Sequence, residues 1–134
     1  MSQLAIQSAL ELALAAMPEL PTAWENTLFT PVVDVPWQKV NFLFVQPDDV
    51  TMDATFYRER GYMQLTLYYP LLTGSRSAKL RAELIRKTFP RGSTFSSNGI
   101  TTVIDRTPEI GTGVPHDESY VVIVRVPFYA DIYL

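Results

Sequence analysis

Hydrophobic residues recur along this chain at two spacings. From Gly61 to Pro70, Met63, Leu65, Leu67 and Tyr69 alternate with Tyr62, Gln64, Thr66 and Tyr68, the two-residue period of a strand. The first set predicts a core face. The second is polar and aromatic rather than plainly solvated, which suits a surface that meets another surface and puts assembly ahead of catalysis. Residues 39–46 also alternate, Val40, Phe42 and Phe44 against Asn41, Leu43 and Val45. Both sets are largely apolar, so this strand is expected inside the sheet, stopped by Pro47, Asp48 and Asp49. In residues 119–128, Tyr120, Val122, Val124, Val126 and Phe128 alternate with Val121, Ile123, Arg125 and Pro127, predicting a second central strand.

Two segments carry the helical period instead. Ile6, Leu10, Ala13, Leu14 and Met17 form one stripe over residues 2–17, with Ser2 as N-cap and Pro18 at the end. Leu4 and Leu12 lie off that stripe, either as singly exposed leucines, which are common, or as a contact with another subunit. Ala78, Ala82, Ile85 and Phe89 make a second stripe in a helix running from about Gly74 to Phe89. Leu80 and Leu84 point away from it among Lys79, Arg81, Arg86 and Lys87, either as apolar spill on a solvated face or as a subunit contact.

The remaining segments read as connections. Pro21, Pro31 and Pro36 make residues 19–37 extended, with at most a short strand at residues 22–25. Residues 47–54 hold Asp48, Asp49 and Asp53 without a compensating base and read as a loop, and residues 107–118 form a long loop. Asn98-Gly99 is a strong hairpin signal because both residues tolerate positive φ. Arg58-Glu59-Arg60 is the densest polar motif, either an edge-strand safeguard or an intersubunit salt-bridge set. Together the elements predict an α+β fold, a mixed or largely antiparallel β-sheet with two α-helices packed on one face, as a single domain over residues 1–134.

Composition narrows the function classes. A chain of 134 residues buries roughly two thirds of the surface its unfolded form exposes, enough for one core without staples. It has no cysteine, which excludes disulfides, thiolate metal sites and a cysteine nucleophile. Eleven Lys and Arg against 14 Asp and Glu, net −3, with the basic residues scattered, argue against specific nucleic-acid binding. No stretch approaches the ~20 apolar residues of a membrane span, and the first residues lack the basic region of a secretory signal. The expectation is a soluble protein that stays where it is made.

Candidate chemistry is sparse. His116, the lone histidine, sits in the predicted loop beside Asp117 and Glu118, and a metal site needs ligands converging from rigid elements. Loop carboxylates, Asp48, Asp49 and Asp53 or Glu109, Asp117 and Glu118, are the remaining acid–base candidates. Thr73-Gly74-Ser75 and Gly111-Thr112-Gly113 lack the Lys-Ser/Thr continuation of a phosphate loop. The reading is no enzyme, no cofactor and no metal.

Several segments together resemble a family: Thr22-Ala23-Trp24-Glu25-Asn26, Tyr57-Arg58-Glu59-Arg60-Gly61, Phe89-Pro90-Arg91-Gly92, Asp105-Arg106-Thr107-Pro108, and Tyr120-Val121-Val122 followed by Pro127-Phe128-Tyr129-Ala130-Asp131. In that order they are similar to phage and prophage tail-terminator-like proteins, minor tail proteins that cap the tail tube of long-tailed phages. The resemblance implies a tail-terminator-like domain that forms a ring, usually of six subunits, stops tube polymerisation and offers a joining surface to the head. Its implied partners are itself, the tail-tube protein and a head-completion or connector protein. It implies synthesis in the host bacterial cytoplasm and residence in the virion tail. A ring needs two complementary patches, for which Leu80 and Leu84, Arg58, Glu59, Arg60 and Tyr62, and Leu4 and Leu12 are candidates. Asp48, Asp49 and Asp53 are candidates for lining the lumen or meeting the tube. The alternative is a small cytosolic domain that binds a ligand or a peptide strand.

Overall fold

The computed structural model describes residues 2–49 and 52–133. In chain order the elements are α1 (Ser2–Ala15), β1 (Thr22–Ala23), β2 (Trp37–Asp48), β3 (Phe56–Pro70), α2 (Arg76–Thr88), β4 (Thr94–Ser97), β5 (Ile100–Ile104), β6 (Glu109–Ile110), β7 (Val114–His116) and β8 (Ser119–Tyr133). The strands form one sheet in the order β1-β2-β3-β8-β5-β4, with β6 and β7 also on β8. β1 runs parallel to β2, and the other pairings are antiparallel. The result is the α+β fold that the alternation predicts, a mixed but mostly antiparallel sheet with two helices on one face.

The longest ladder joins β3 to β8 without interruption, from Phe56 opposite Tyr133 to Pro70 opposite Ser119. Because strand side chains alternate, this register assigns every residue of both strands to a face. Met63, Leu65 and Leu67 fall opposite Val126, Val124 and Val122, and all six are buried under the helices. Ile6, Leu10 and Leu14 of α1, with Ala78, Ala82 and Ile85 of α2 and Phe89 just beyond it, close the same core. Each large aliphatic or aromatic side chain buried there contributes about 1.5–3 kcal/mol. The small Ala78 and Ala82, both fully buried, let the α2 backbone approach the sheet.

Gly61 interrupts the row of side chains on the core face of β3. A Cβ at this position would lie 2.2 Å from the Leu43 carbonyl oxygen of β2, so no side chain fits. Its neighbours across the sheet are Phe44 and Phe128. Their rings meet edge to face, centroids 5.6 Å apart, the favoured aromatic geometry.

The structure departs from the sequence reading at several points. Helix α1 ends at Ala15, and Ser2 is its first helical residue rather than a cap, its hydroxyl donating to Glu59 Oε2 at 3.2 Å. Strand β2 runs inside the sheet order, between β1 and β3, but β1 pairs only with Gln38 and Lys39, leaving the rest of its outer side as an edge, where the Phe42 N–H is met by the Glu25 carboxylate at 2.9 Å. Leu43 and Val45, of opposite parity to the buried Val40 and Phe42, lie on the face away from the helices. Pro47 and Asp48 continue the strand after an irregularity between Val45 and Asp48, so Asp48 is not in a loop; residues 50 and 51 of the expected loop lie outside the described residues. β3 lies between β2 and β8, so Arg58-Glu59-Arg60 is no edge safeguard. The expected loop at residues 107–118 holds β6 and β7, short strands that bond to β8 because its far edge is open there. The Asn98-Gly99 turn, with φ of 51° and 77°, is the hairpin expected between β4 and β5.

Gly61→Ala should destabilise the fold by about 1–3 kcal/mol or more, the range for forcing atoms into a packed site. Urea unfolding followed by circular dichroism measures it, and an unchanged midpoint would contradict the close approach to Leu43.

Candidate assembly surface

The sheet face opposite the helices is built from three strands in register. Across β2, β3 and β8, Trp37, Tyr68 and Val121 form one row, Leu43, Tyr62 and Pro127 another, and Val45, Arg60 and Tyr129 a third. The first row is partly covered by the connector between β1 and β2. Phe29 stacks on Trp37 at 5.2 Å, and Trp37 lies nearly parallel to Tyr68 at 4.1 Å. The other two rows carry no helix, and Leu43 and Val45 are 39% and 45% exposed. A depression of about 270 Å³ lies there, bordered by Val45, Arg60, Tyr62, Pro127 and the Asp105 and Arg106 turn.

Two arginines on this face are paired with carboxylates of the same chain. Arg58 grips Asp131 with two bonds, Nε to Oδ1 at 2.8 Å and Nη2 to Oδ2 at 3.2 Å, and lies over the Tyr129 ring at 4.2 Å. Arg60 Nη1 donates to Asp48 Oδ2 at 2.7 Å. The hydrogen bonds to these carboxylates hold both guanidinium pKa values above their ordinary level. The Arg60–Asp48 pair is about half exposed and organises side chains more than it stabilises the fold, whereas the Arg58–Asp131 pair is part-buried. Glu59 takes no part in this set: the strand's alternation turns it to the helix face, where it is 4% exposed and bonded to Ser2.

A second apolar surface flanks α1. Leu4 and Leu12 are 52% and 68% exposed, and Leu12 borders an open groove of about 680 Å³ between α1 and the segment holding Trp24, Glu25 and Thr27. Three side chains outside the elements are nearly or fully exposed despite being apolar: Leu28, Met52 and Leu72.

A family model described as phage tail terminator protein matches residues 4–128. The chain belongs to the phage tail terminator family. Membership supports a structural role in a phage tail, with other tail components as partners. Comparison with curated proteins returned no match. A solved structure superposes on this terminator-family fold with a TM-score of 0.77 at 27% sequence identity, covering 100% of this chain and 99% of the other.

Within the terminator-family fold, the residues expected at interfaces are not all placed alike. Arg58, Arg60 and Tyr62 share the bare sheet face, whereas Glu59 is on the opposite side. On α2, Leu80 is 57% exposed, but Leu84 is partly buried and packs against the core. Arg81, expected on a solvated face, is buried; its position three residues after Ala78 and four before Ile85 is the signal that places it on the inner stripe. Of the aspartates, Asp48 pairs with Arg60, Asp53 Oδ1 accepts from the Thr55 N–H and hydroxyl, and Asp49 is exposed. His116 Nε2 lies 3.4 Å from Asp117 Oδ2, both side chains exposed. Among the described residues, no three His, Asp or Glu side chains converge to hold a metal ion. Leu28 and the Val32-Val33 pair are exposed as well, and their signal, apolar residues in a proline-rich connector, is visible in the sequence.

Leu84→Ala should cost about 1–2 kcal/mol and Leu80→Ala well under 0.5, the contrast between a half-buried and a surface side chain, measured by denaturant midpoint. Burial holds the Tyr68 and Tyr69 hydroxyls above the ordinary pKa of 10.0. The folded state favours their protonated forms, so this stabilisation is complete below pH 10.0 and is lost as pH rises through the folded values. Absorbance titration at 295 nm should show at least two of the seven tyrosines ionising late.

Proposed function

We propose that this protein is a non-enzymatic structural component that ends growth of the tail tube and presents the surface to which a head-completion or connector protein joins. It does so as a ring of copies of itself, six on the family pattern, seated on the tail-tube protein. The observation that carries this reading is the helix-free sheet face, whose Leu43 and Val45 stay 39% and 45% exposed. A monomer gains nothing from leaving such residues in water, and apolar side chains grouped on a face mark interaction surfaces.

A closed ring needs a donating and an accepting patch on each subunit. The apolar connector carrying Leu28 and Val33, 99% and 80% exposed, is the donor, and the depression beside Val45, Tyr62 and Pro127 is the acceptor. A standard interface takes about 800 Å² from each partner. Two such patches use about a fifth of the 8117 Å² of accessible surface, leaving room for tube and head contacts. Leu80 on α2 and the Leu4 and Leu12 flank of α1 are placed for those. Asp49 and Asp53, beside the tip of the β2–β3 connection, line the lumen or meet the tube, where negative charge gives passing DNA no counterion-release gain. The protein is made in the bacterial cytoplasm and ends in the virion tail.

Leu28→Asp and Leu43→Lys should each leave the unfolding midpoint within about 0.5 kcal/mol of wild type and abolish ring formation. Light scattering on a sizing column, with and without the tail-tube subunit, reads the outcome. Wild-type assembly by both variants would overturn the assignment of patches.

A further inference from the structure

Arg81 is a buried cation with no carboxylate bonded to it among the described residues. It projects from the inner side of α2 and is 8% exposed. Its Nη1 donates to the Pro18 carbonyl at 2.7 Å and its Nη2 to Gln38 Oε1 at 3.3 Å. Its Nε is enclosed and has no acceptor. A guanidinium carries five N–H donors, so two bonds to neutral oxygens leave it under-answered. The ion pairs among the described residues use Arg58, Arg60, Arg86, His116 and Arg125, never Arg81. The carbonyls at the end of α1 offer only the fractional charge of a helix terminus.

The same side chain walls a pocket of about 260 Å³ between the end of α1, the connector to β1 and strand β2. Gln38, 1% exposed, is locked in orientation there: its Nε2 donates to Thr22 Oγ1 at 3.0 Å, and that hydroxyl donates to the Leu20 carbonyl at 2.8 Å. Its amide oxygen therefore faces Arg81 but brings no charge. Leu14, Met17 and Trp24 make the pocket's apolar wall, and Glu19 borders it, exposed and not bonded to Arg81.

We propose that this pocket is a carboxylate site, in which the Arg81 guanidinium receives a single carboxylate that the chain itself does not supply. The planar fork of arginine matches a carboxylate, and the apolar wall favours one borne on a short aliphatic stem over a heavily hydrated phosphate. Burial lowers the Arg81 pKa from its ordinary value, in keeping with a charge that lacks its partner. The carboxylate comes either from a free short-chain acid or from an acidic side chain of a second copy. The site is separate from the sheet face assigned to assembly and does not depend on the tail role.

The test is nitrogen-15 NMR of the Arg81 side chain, titrated with sodium acetate against sodium chloride at matched pH and ionic strength. A saturable shift with acetate and none with chloride is expected, together with a rise in melting temperature that Arg81→Met lacks. Gln38→Glu keeps the shape of the side chain and places a carboxylate oxygen within bonding reach of Arg81. It should raise the melting temperature and abolish the acetate response. A dilution series without acetate separates the sources: if the Arg81 resonances move with protein concentration and acetate reverses the dependence, a neighbouring copy supplies the group, whereas an acetate response independent of concentration assigns a free acid. Equal responses to chloride and acetate, no response in either series, or a Gln38→Glu protein that still responds to acetate would overturn the proposal.

Discussion

The rest of the molecule depends on the unbroken antiparallel pairing of β3 with β8. Fifteen consecutive residues of one strand face fifteen of the other, and the strict alternation of side chains turns that register into a division of labour. One parity supplies the floor on which both helices rest. The other supplies a face with no helical cover. A slip of a single residue would exchange the two, exposing Met63, Leu65 and Leu67 and burying Arg60 and Arg58 with their charges. The register is held against that slip by the helix stripes on one side, and on the other by the bidentate pair of Arg58 with Asp131 at one end of the ladder.

Much of this division was legible in the sequence because both periods are nearly undiluted where burial is complete. Of the two helical stripes, Ile6, Leu10, Leu14, Met17, Ala78, Ala82, Ile85 and Phe89 are buried and Ala13 is partly buried. The turn at Asn98 and Gly99 was legible for a local reason, since few other dipeptides tolerate two positive φ angles in succession. What escaped was whatever depends on neighbours distant in sequence. Alternation in β2 cannot tell a strand paired along both sides from one paired fully on one side only, because both can put apolar residues on two faces. Strands as short as β6 and β7 carry no period, and they exist because β8 extends past β5 and leaves bonding groups unanswered. The interface candidates divided the same way: Leu80 is exposed and Leu84 is half-buried although both lie off the inner stripe, since the width of the covered zone is set by the sheet beneath rather than by the helix.

Arginine serves opposite ends in this fold. On the bare face, Arg58 and Arg60 are matched with carboxylates, Arg58 in a part-buried bidentate pair across the ladder and Arg60 in a more exposed pair of little energetic consequence. Beneath α2, Arg81 ties the end of α1 to β2 through neutral acceptors alone. The first arrangement leaves a face that is apolar with its charges balanced, suited to contact with protein. The second concentrates a positive charge where the dielectric is low and an incoming negative group would be felt most strongly.

Strand β8 follows every other element in chain order, yet it sits in the middle of the sheet and pairs with β3, β5, β6 and β7. During synthesis, therefore, the ribosome releases the keystone after the stones that lean on it. Until residues 119–133 are clear of the exit tunnel, β3 presents a long unpaired flank and the apolar floor lacks half its width. Nascent chains in that state expose the kind of strand edge that templates association. Closure is then bound to be late, cooperative and dominated by contacts far apart in sequence, a topology that folds slowly. Correct folding accordingly depends on β8 arriving before neighbouring chains find each other's open flanks.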